Sequence, residues 1–196
     1  MLIIMKSNFS KMQSQPKITE YFSVRRSTRR QGKELQEEKM AILLKQIQTC
    51  SNEKFLKIYN CEEKGRGIKT KKSFAKGEFV VEYKGEVINS KIARIREEEY
   101  SKNENIGSYM YYFKHQGIVY CVDATLETKY KGRLINHSIL RPNLRTRVVD
   151  FGGESSSSFY LILVARRDIN IGEELLYDYG ERRSDVIEKN PWLLKS

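Results

Sequence analysis

The sequence predicts a mainly β domain with short helices, preceded by a basic arm. Three observations point there. From residue 54 onward the chain breaks into short apolar runs separated by glycine turns. Only two stretches, 33–49 and 90–101, keep a helical hydrophobic period. The 196 residues leave room for one core of this kind but not for two full domains.

The elements follow in order. Residues 1–32 are polar and basic without a sustained period, which reads as a disordered tail. One patch interrupts it: Gln15, then Ile18, Tyr21 and Phe22 at i, i+3 and i+4, on one face of a single helical turn. Residues 33–53 form a flanking helix, with Leu35, Met40, Ile42, Leu43, Leu44 and Ile47 among Glu, Gln and Lys. The domain spans 54–182. It opens with a strand at 55–59, a turn at Gly65-Arg66-Gly67 and a new run from Ile68. A turn at Ala75-Lys76-Gly77 leads into the strong strand 78–83, and Ser90 caps the helix 90–101. The runs 109–113 and 119–122 alternate around Gly117 as a hairpin. A Gly- and Ser-rich loop, 152–158, precedes 159–165, the most continuous apolar run and a buried strand. Residues 183–196 are a C-terminal flank.

The net charge is +11, from 36 Lys and Arg against 25 Asp and Glu. Eight bases (Lys6, Lys11, Lys17, Arg25, Arg26, Arg29, Arg30 and Lys33) against Glu20 place +7 of it in residues 1–33. Such an arm beside a nearly balanced domain points to a polyanion such as DNA in a nucleosome, or serves only to keep the chain soluble. No run approaches the apolar length of a membrane span, and Lys6 cuts short the apolar start, so no membrane or secretory role is expected. Cys50, Cys61 and Cys121 have no metal-ligand spacing, and His115 and His137 are the only histidines, so no metal site is expected.

The chemistry-bearing segments contain phenols and backbone groups in place of a nucleophile motif. Gly65-Arg66-Gly67 offers amides and a cation; Asn136-His137-Ser138 follows an apolar pair; Tyr177 and Tyr179 share one side of an extended segment. With Tyr83 and Tyr109 to Tyr112 they belong to a set of 12 tyrosines. A pocket of ring faces and carbonyl oxygens suits a cationic guest, a lysine ammonium or a sulfonium. Each segment alone also reads as an ordinary turn, a satisfied core histidine or strand packing.

Taken in order, these marks resemble the SET-domain protein-lysine methyltransferases: Gly65-Arg66-Gly67, Val81-Glu82-Tyr83-Lys84-Gly85, Asp123-Ala124-Thr125, Arg133-Leu134-Ile135-Asn136-His137-Ser138, and Gly172 through Gly180. The run Tyr109-Met110-Tyr111-Tyr112-Phe113 with Tyr120 to Thr125, and Trp192 near the end in place of a cysteine cluster, are similar to the branch that monomethylates lysine twenty of histone four. Ser108 and Glu181 depart from that branch's Cys and Asp.

The resemblance implies a β-clip fold in which a C-terminal pseudoknot brings Asn136-His137 to Tyr177 and Tyr179, and an enzyme using S-adenosylmethionine. It implies Lys64, Gly65, Arg66, Tyr109, Asn136, His137 and Trp192 for the cofactor. Tyr83, Tyr177 and Tyr179 are implied for catalysis, and Tyr112, Ser108 and Glu181 for substrate. A nuclear, chromatin-bound monomer acting on histone tails is expected, with non-histone lysines or a non-catalytic tail-binding module as alternatives. Gln15, Ile18, Tyr21 and Phe22 resemble the box that docks on the sliding clamp PCNA, in a variant that recruits a cullin ubiquitin ligase.

Overall fold

The computed structural model describes residues 28–61, 64–103, 106–107, 109–152, 159–182 and 184–194. Gln15, Ile18, Tyr21, Phe22 and Ser108 therefore lie outside the described residues. Two compact units separate, Met1–Lys39 and Met40–Ser196. To the first belongs the early part of helix α1 (Thr28–Gln48), where Lys33 and Glu37 form an exposed i,i+4 pair at 3.8 Å. The helix starts five residues before the expected boundary at 33. Thr-Arg-Arg-Gln-Gly has no apolar residue to reveal a period, yet Arg and Gln are good helix formers.

In the second unit the chain folds as two antiparallel three-stranded sheets, a hairpin and a short parallel pair. The hairpin joins β1 (Leu56–Cys61) to β2 (Gly65–Thr70), with Tyr59 opposite Gly67 and Cys61 opposite Gly65. Gly65-Arg66-Gly67 is thus the start of a strand rather than a turn. The reversal comes before it, and Gly65 at φ +71° supplies the left-handed backbone there.

One sheet runs β3 (Phe79–Glu82), β9 (Phe159–Ala165), β8 (Leu144–Asp150), with the apolar run 159–165 at its centre as expected. β8 carries Arg145 and Arg147 exposed and Leu144 buried, so its arginines mask it from an apolar-run reading. One face of this sheet is covered by Met40, Leu43 and Ile47 of α1, which pack with Phe79, Val149, Ile162 and Val164. The other sheet runs β4 (Glu86–Asn89), β6 (Ile118–Asp123), β5 (Met110–His115). Helix α2 (Ser90–Ser101) lies against it. Its cap is Asn89, whose side chain accepts from the Lys91 and Ile92 amides; Ser90 is the first helical residue, since Asn89 alone keeps the extended backbone an N-cap needs.

The main core fills the space between these sheets, with Ile68, Phe74, Val80, Val122, Ile135, Leu163 and Leu175 nearly inaccessible to water. The parallel pair, β7 (Asn136–His137) with β10 (Leu176–Tyr177), has two residues on each side. It is extended by Ser138 N–H to Tyr177 O at 3.0 Å and Asn143 N–H to Leu176 O at 3.0 Å. A short helix α3 (Ser184–Lys189) and a 3-10 turn, Pro191–Leu194, close the chain.

Candidate functional site

β7 and β10 are the hub of the site. Pairing them sets Asn136-His137 beside Tyr177 and Tyr179, segments about forty residues apart in the chain. Asn143 pins the second segment: its side-chain amide donates to the Glu174 carbonyl at 2.7 Å and accepts from the Leu176 amide at 2.8 Å.

A cavity of about 1750 Å³ opens against this pair. Tyr83, Tyr177 and Tyr179 line it, as do Lys64, Gly65, Arg66, Tyr109, Asn136, His137 and Trp192, and as do Tyr112 and Glu181. Every described residue singled out in the sequence for the active site therefore borders one space.

At its floor four phenols converge. Ring centroids lie 4.7 Å apart for Tyr177–Tyr179, 5.7 Å for Tyr83–Tyr111, 6.1 Å for Tyr111–Tyr177 and 6.5 Å for Tyr83–Tyr177. Tyr83 and Tyr177 are buried. The Tyr83 hydroxyl donates to the Tyr109 carbonyl at 3.1 Å, and that of Tyr179 to the Ile135 carbonyl at 3.0 Å. Burial pushes Tyr83, Tyr177 and Tyr179 above the usual phenol range, and neighbouring phenols add to the shift. They are neutral at physiological pH. Their oxygens and ring faces can cradle a cation without neutralising it.

His137 is fully committed. Its Nδ1 accepts the Tyr179 amide at 3.1 Å, so the proton sits on Nε2, which donates to the Leu193 carbonyl at 2.8 Å. Burial lowers its pKa, against the opposing pull of the Leu193 carbonyl and Asp178. With both nitrogens occupied it cannot serve as a general base. It ties β7, the segment after β10 and the C-terminal turn into one unit, and the Trp192 ring stands 5.9 Å away at the cavity rim. The Lys64 ammonium donates to the His137 carbonyl at 3.1 Å, and Arg66 pairs with Glu127.

Several bordering residues have no role in the sequence reading. Arg133 is buried, stacks its guanidinium 3.7 Å over the Tyr109 ring and donates to the Thr125 carbonyl at 3.0 Å. Glu174 accepts from the Asn136 amide at 3.2 Å, and Tyr111 shares a 2.9 Å hydrogen bond with Thr146. Arg133 opens the segment that runs to Ser138, Glu174 lies between Gly172 and Gly180, and Tyr111 is inside the tyrosine run; which of them turn inward depends on the packing of distant segments. Gly67 explains itself only here: a Cβ would come within 2.7 Å of both Asn136 Nδ2 and the Tyr59 ring.

The donor set suits an amino-acid-bearing nucleoside sulfonium. Two cations, Lys64 and Arg66, can face a carboxylate, an asparagine amide can face an ammonium, and Trp192 gives a flat surface for a base. The buried Arg133 Nε has no partner among the described residues, leaving a donor free at the cavity wall.

Residues 65–180 match the SET domain family. The nematode Caenorhabditis elegans has a relative named histone-lysine N-methyltransferase set-1, 52% identical over 183 residues, covering 93% of this chain and 74% of that protein. The frog Xenopus tropicalis has one named N-lysine methyltransferase KMT5A, 46% identical over 177 residues, covering 90% of this chain and 51% of that one. The chain thus spans about half the length of the frog relative. Among solved structures, the crystal structure of CpSET8 from Cryptosporidium superposes with a TM-score of 0.58 at 41% identity, over 65% of this chain and 58% of that one.

Proposed function

The chain belongs to the SET domain family, and from that premise we propose that it is a protein-lysine methyltransferase that adds one methyl group to lysine twenty of histone four in chromatin. The observation that carries this reading is the meeting of Tyr83, Tyr177 and Tyr179 with Lys64, Arg66, Asn136 and His137 around one cavity. The names of the nematode and frog relatives support the reaction class.

S-adenosylmethionine, bound there, supplies an activated methyl on a positively charged sulfur. Lys64, Gly65, Arg66, Tyr109, Asn136, His137 and Trp192 would hold it. The protein's own work is alignment and electrostatics. Free lysine titrates near pH ~10.4 and its ammonium has no lone pair, so the site must favour the neutral amine. A buried phenol floor disfavours the ammonium by desolvation, and the same low dielectric strengthens every phenol dipole. Tyr83 and Tyr177 present hydroxyls to the amine. Tyr179, anchored on the Ile135 carbonyl, orients the methyl end. Tyr177, buried and packed between three other rings, limits the product to one methyl because its hydroxyl takes the room a methylated amine needs. Tyr112, Ser108 and Glu181 are assigned to the peptide.

The basic arm would hold nucleosomal DNA, with nuclear location following from that substrate. Gln15, Ile18, Tyr21 and Phe22 would dock on the sliding clamp PCNA and, through it, a cullin ubiquitin ligase. The test is mass spectrometry of recombinant nucleosomes incubated with the protein and S-adenosylmethionine. A single added methyl on lysine twenty of histone four is expected. Cofactor binding without that product moves the substrate to another protein, and no cofactor binding makes the chain a non-catalytic module.

A further inference from the structure

The Asn136 side chain lines the cavity, and an amide has two ends of opposite character. Its nitrogen lies 3.2 Å from Glu174 Oε1. A carboxylate only accepts hydrogen bonds, so the nitrogen must be the end that faces it, whatever the amide would choose in water. The same nitrogen is pressed against Gly67, where even a methyl group would approach to 2.7 Å. The oxygen is therefore the end left for a guest.

Glu174 is itself held from three sides. Its backbone bridges to Lys69 on β2, and its carbonyl accepts the Asn143 amide at 2.7 Å. Beside its carboxylate lies Tyr59, whose phenol burial and that carboxylate keep protonated and so a donor. Tyr59 is placed by its register opposite Gly67 and by the Lys69 ammonium 4.7 Å over its ring.

We propose that Glu174, backed by Tyr59, is a positioning residue that fixes the Asn136 amide with its oxygen toward the cavity, making the site selective for a ligand with an ammonium group. This rests on reading the cavity as the seat of S-adenosylmethionine. An amide oxygen beside two cations complements a zwitterion: the cations take the α-carboxylate and the oxygen takes the α-ammonium. With glutamine at 174 the neighbouring amide can donate or accept, and Asn136 is free to turn its nitrogen to the cavity, where it repels an ammonium.

The experiment is calorimetric binding of two ligands, S-adenosylmethionine and its analogue lacking the α-amino group, to the full chain and to Glu174→Gln and Tyr59→Phe. The wild type is expected to prefer the amino-bearing ligand. Glu174→Gln is expected to weaken that ligand about tenfold, the worth of one charge-assisted hydrogen bond, and to leave the analogue unchanged. Tyr59→Phe, a milder change that keeps the carboxylate, shifts the same preference by a smaller factor and carries the test if Glu174→Gln does not fold. Equal weakening of both ligands, or of neither, overturns the assignment, because a general structural role moves both alike. A wild type that binds S-adenosylmethionine without preferring it over the analogue also overturns it. A wild type that binds neither sinks the reading of the cavity itself.

Discussion

The Tyr177 ring is enclosed by Tyr83, Tyr111 and Tyr179, while the Tyr179 hydroxyl is spent on the Ile135 carbonyl. The two neighbours should therefore respond differently to loss of one oxygen. Tyr177→Phe opens space at the cavity floor and should raise the dimethyl product several-fold with monomethyl turnover retained; product ratios by mass spectrometry decide it. Tyr179→Phe leaves the Ile135 carbonyl unpaired and frees the ring, and should cut turnover about tenfold or more, about 1.4 kcal/mol of barrier or above. A variant turning over at the wild-type rate would remove Tyr179 from the mechanism. His137 gives a pH signature. Burial holds its folded pKa below the ordinary 6.5. Above that pH both folded and unfolded chains carry it neutral, so its contribution is complete. As pH falls below 6.5 the unfolded chain takes up the proton first, and stability declines until the folded residue also protonates. Urea unfolding should thus show a loss as pH falls below about 6.5 that shrinks in His137→Gln; an equal loss in both proteins would place the titrating group elsewhere. The phenols act at the other extreme: raised in the folded state, they contribute fully below about pH 10, and above it the unfolded phenols ionise first and draw the equilibrium toward unfolding until the folded groups ionise too.

Two elements at the site depend on single residues. β10 has two residues, too few to hold itself, and the Asn143 side chain adds hydrogen bonds to Glu174 just before it and to Leu176 within it. Asn143→Ala leaves the half-buried Glu174 carbonyl and Leu176 amide without these partners and should cost about 2 kcal/mol in urea unfolding, with turnover falling because Tyr177 rides on the same segment. A variant with stability lost but turnover intact would separate the clamp from the site. On β2, Gly67 permits the close approach of Asn136 and Tyr59. Gly67→Ala should weaken cofactor binding about tenfold, since the Asn136 amide that lines the cavity and the Tyr59 ring must both give way; unchanged affinity would mean the strand shifts freely.

The charge of the chain is divided unevenly, +7 of +11 falling in its first 33 residues, and the domain carries the cavity. Binding to a nucleosome and methyl transfer should be separable on that basis. Changing Arg25, Arg26, Arg29 and Arg30 to Gln should weaken nucleosome binding and flatten its salt dependence, by about 0.9 in the log–log slope for each phosphate no longer neutralised. Methylation of a free histone peptide should not change. Equal loss on peptide and nucleosome would show that the arginines serve the domain and not the DNA.

The mainly β character, the flanking helix, the hairpin around Gly117 and the buried strand at 159–165 are all legible in the sequence, because each follows from local period and turn chemistry. The lining of the cavity is legible as well, since the motif order survives in the chain: Tyr83, Asn136, His137, Tyr177 and Tyr179 are named from it and all border the cavity. Other features are set by packing. Gly65-Arg66-Gly67 has the composition of a turn yet extends as a strand, because Tyr59, Asn60 and Cys61 pair with it. β7 and β10 have no local signal, since two residues carry no period; each is a strand only because the other is there. The inward turn of Arg133 and the carboxylate of Glu174 beside Asn136 arise the same way. Short-range preference specifies which elements can form, whereas the direction a polar side chain faces, and the partner that holds it there, depend on segments brought together only by the folded core.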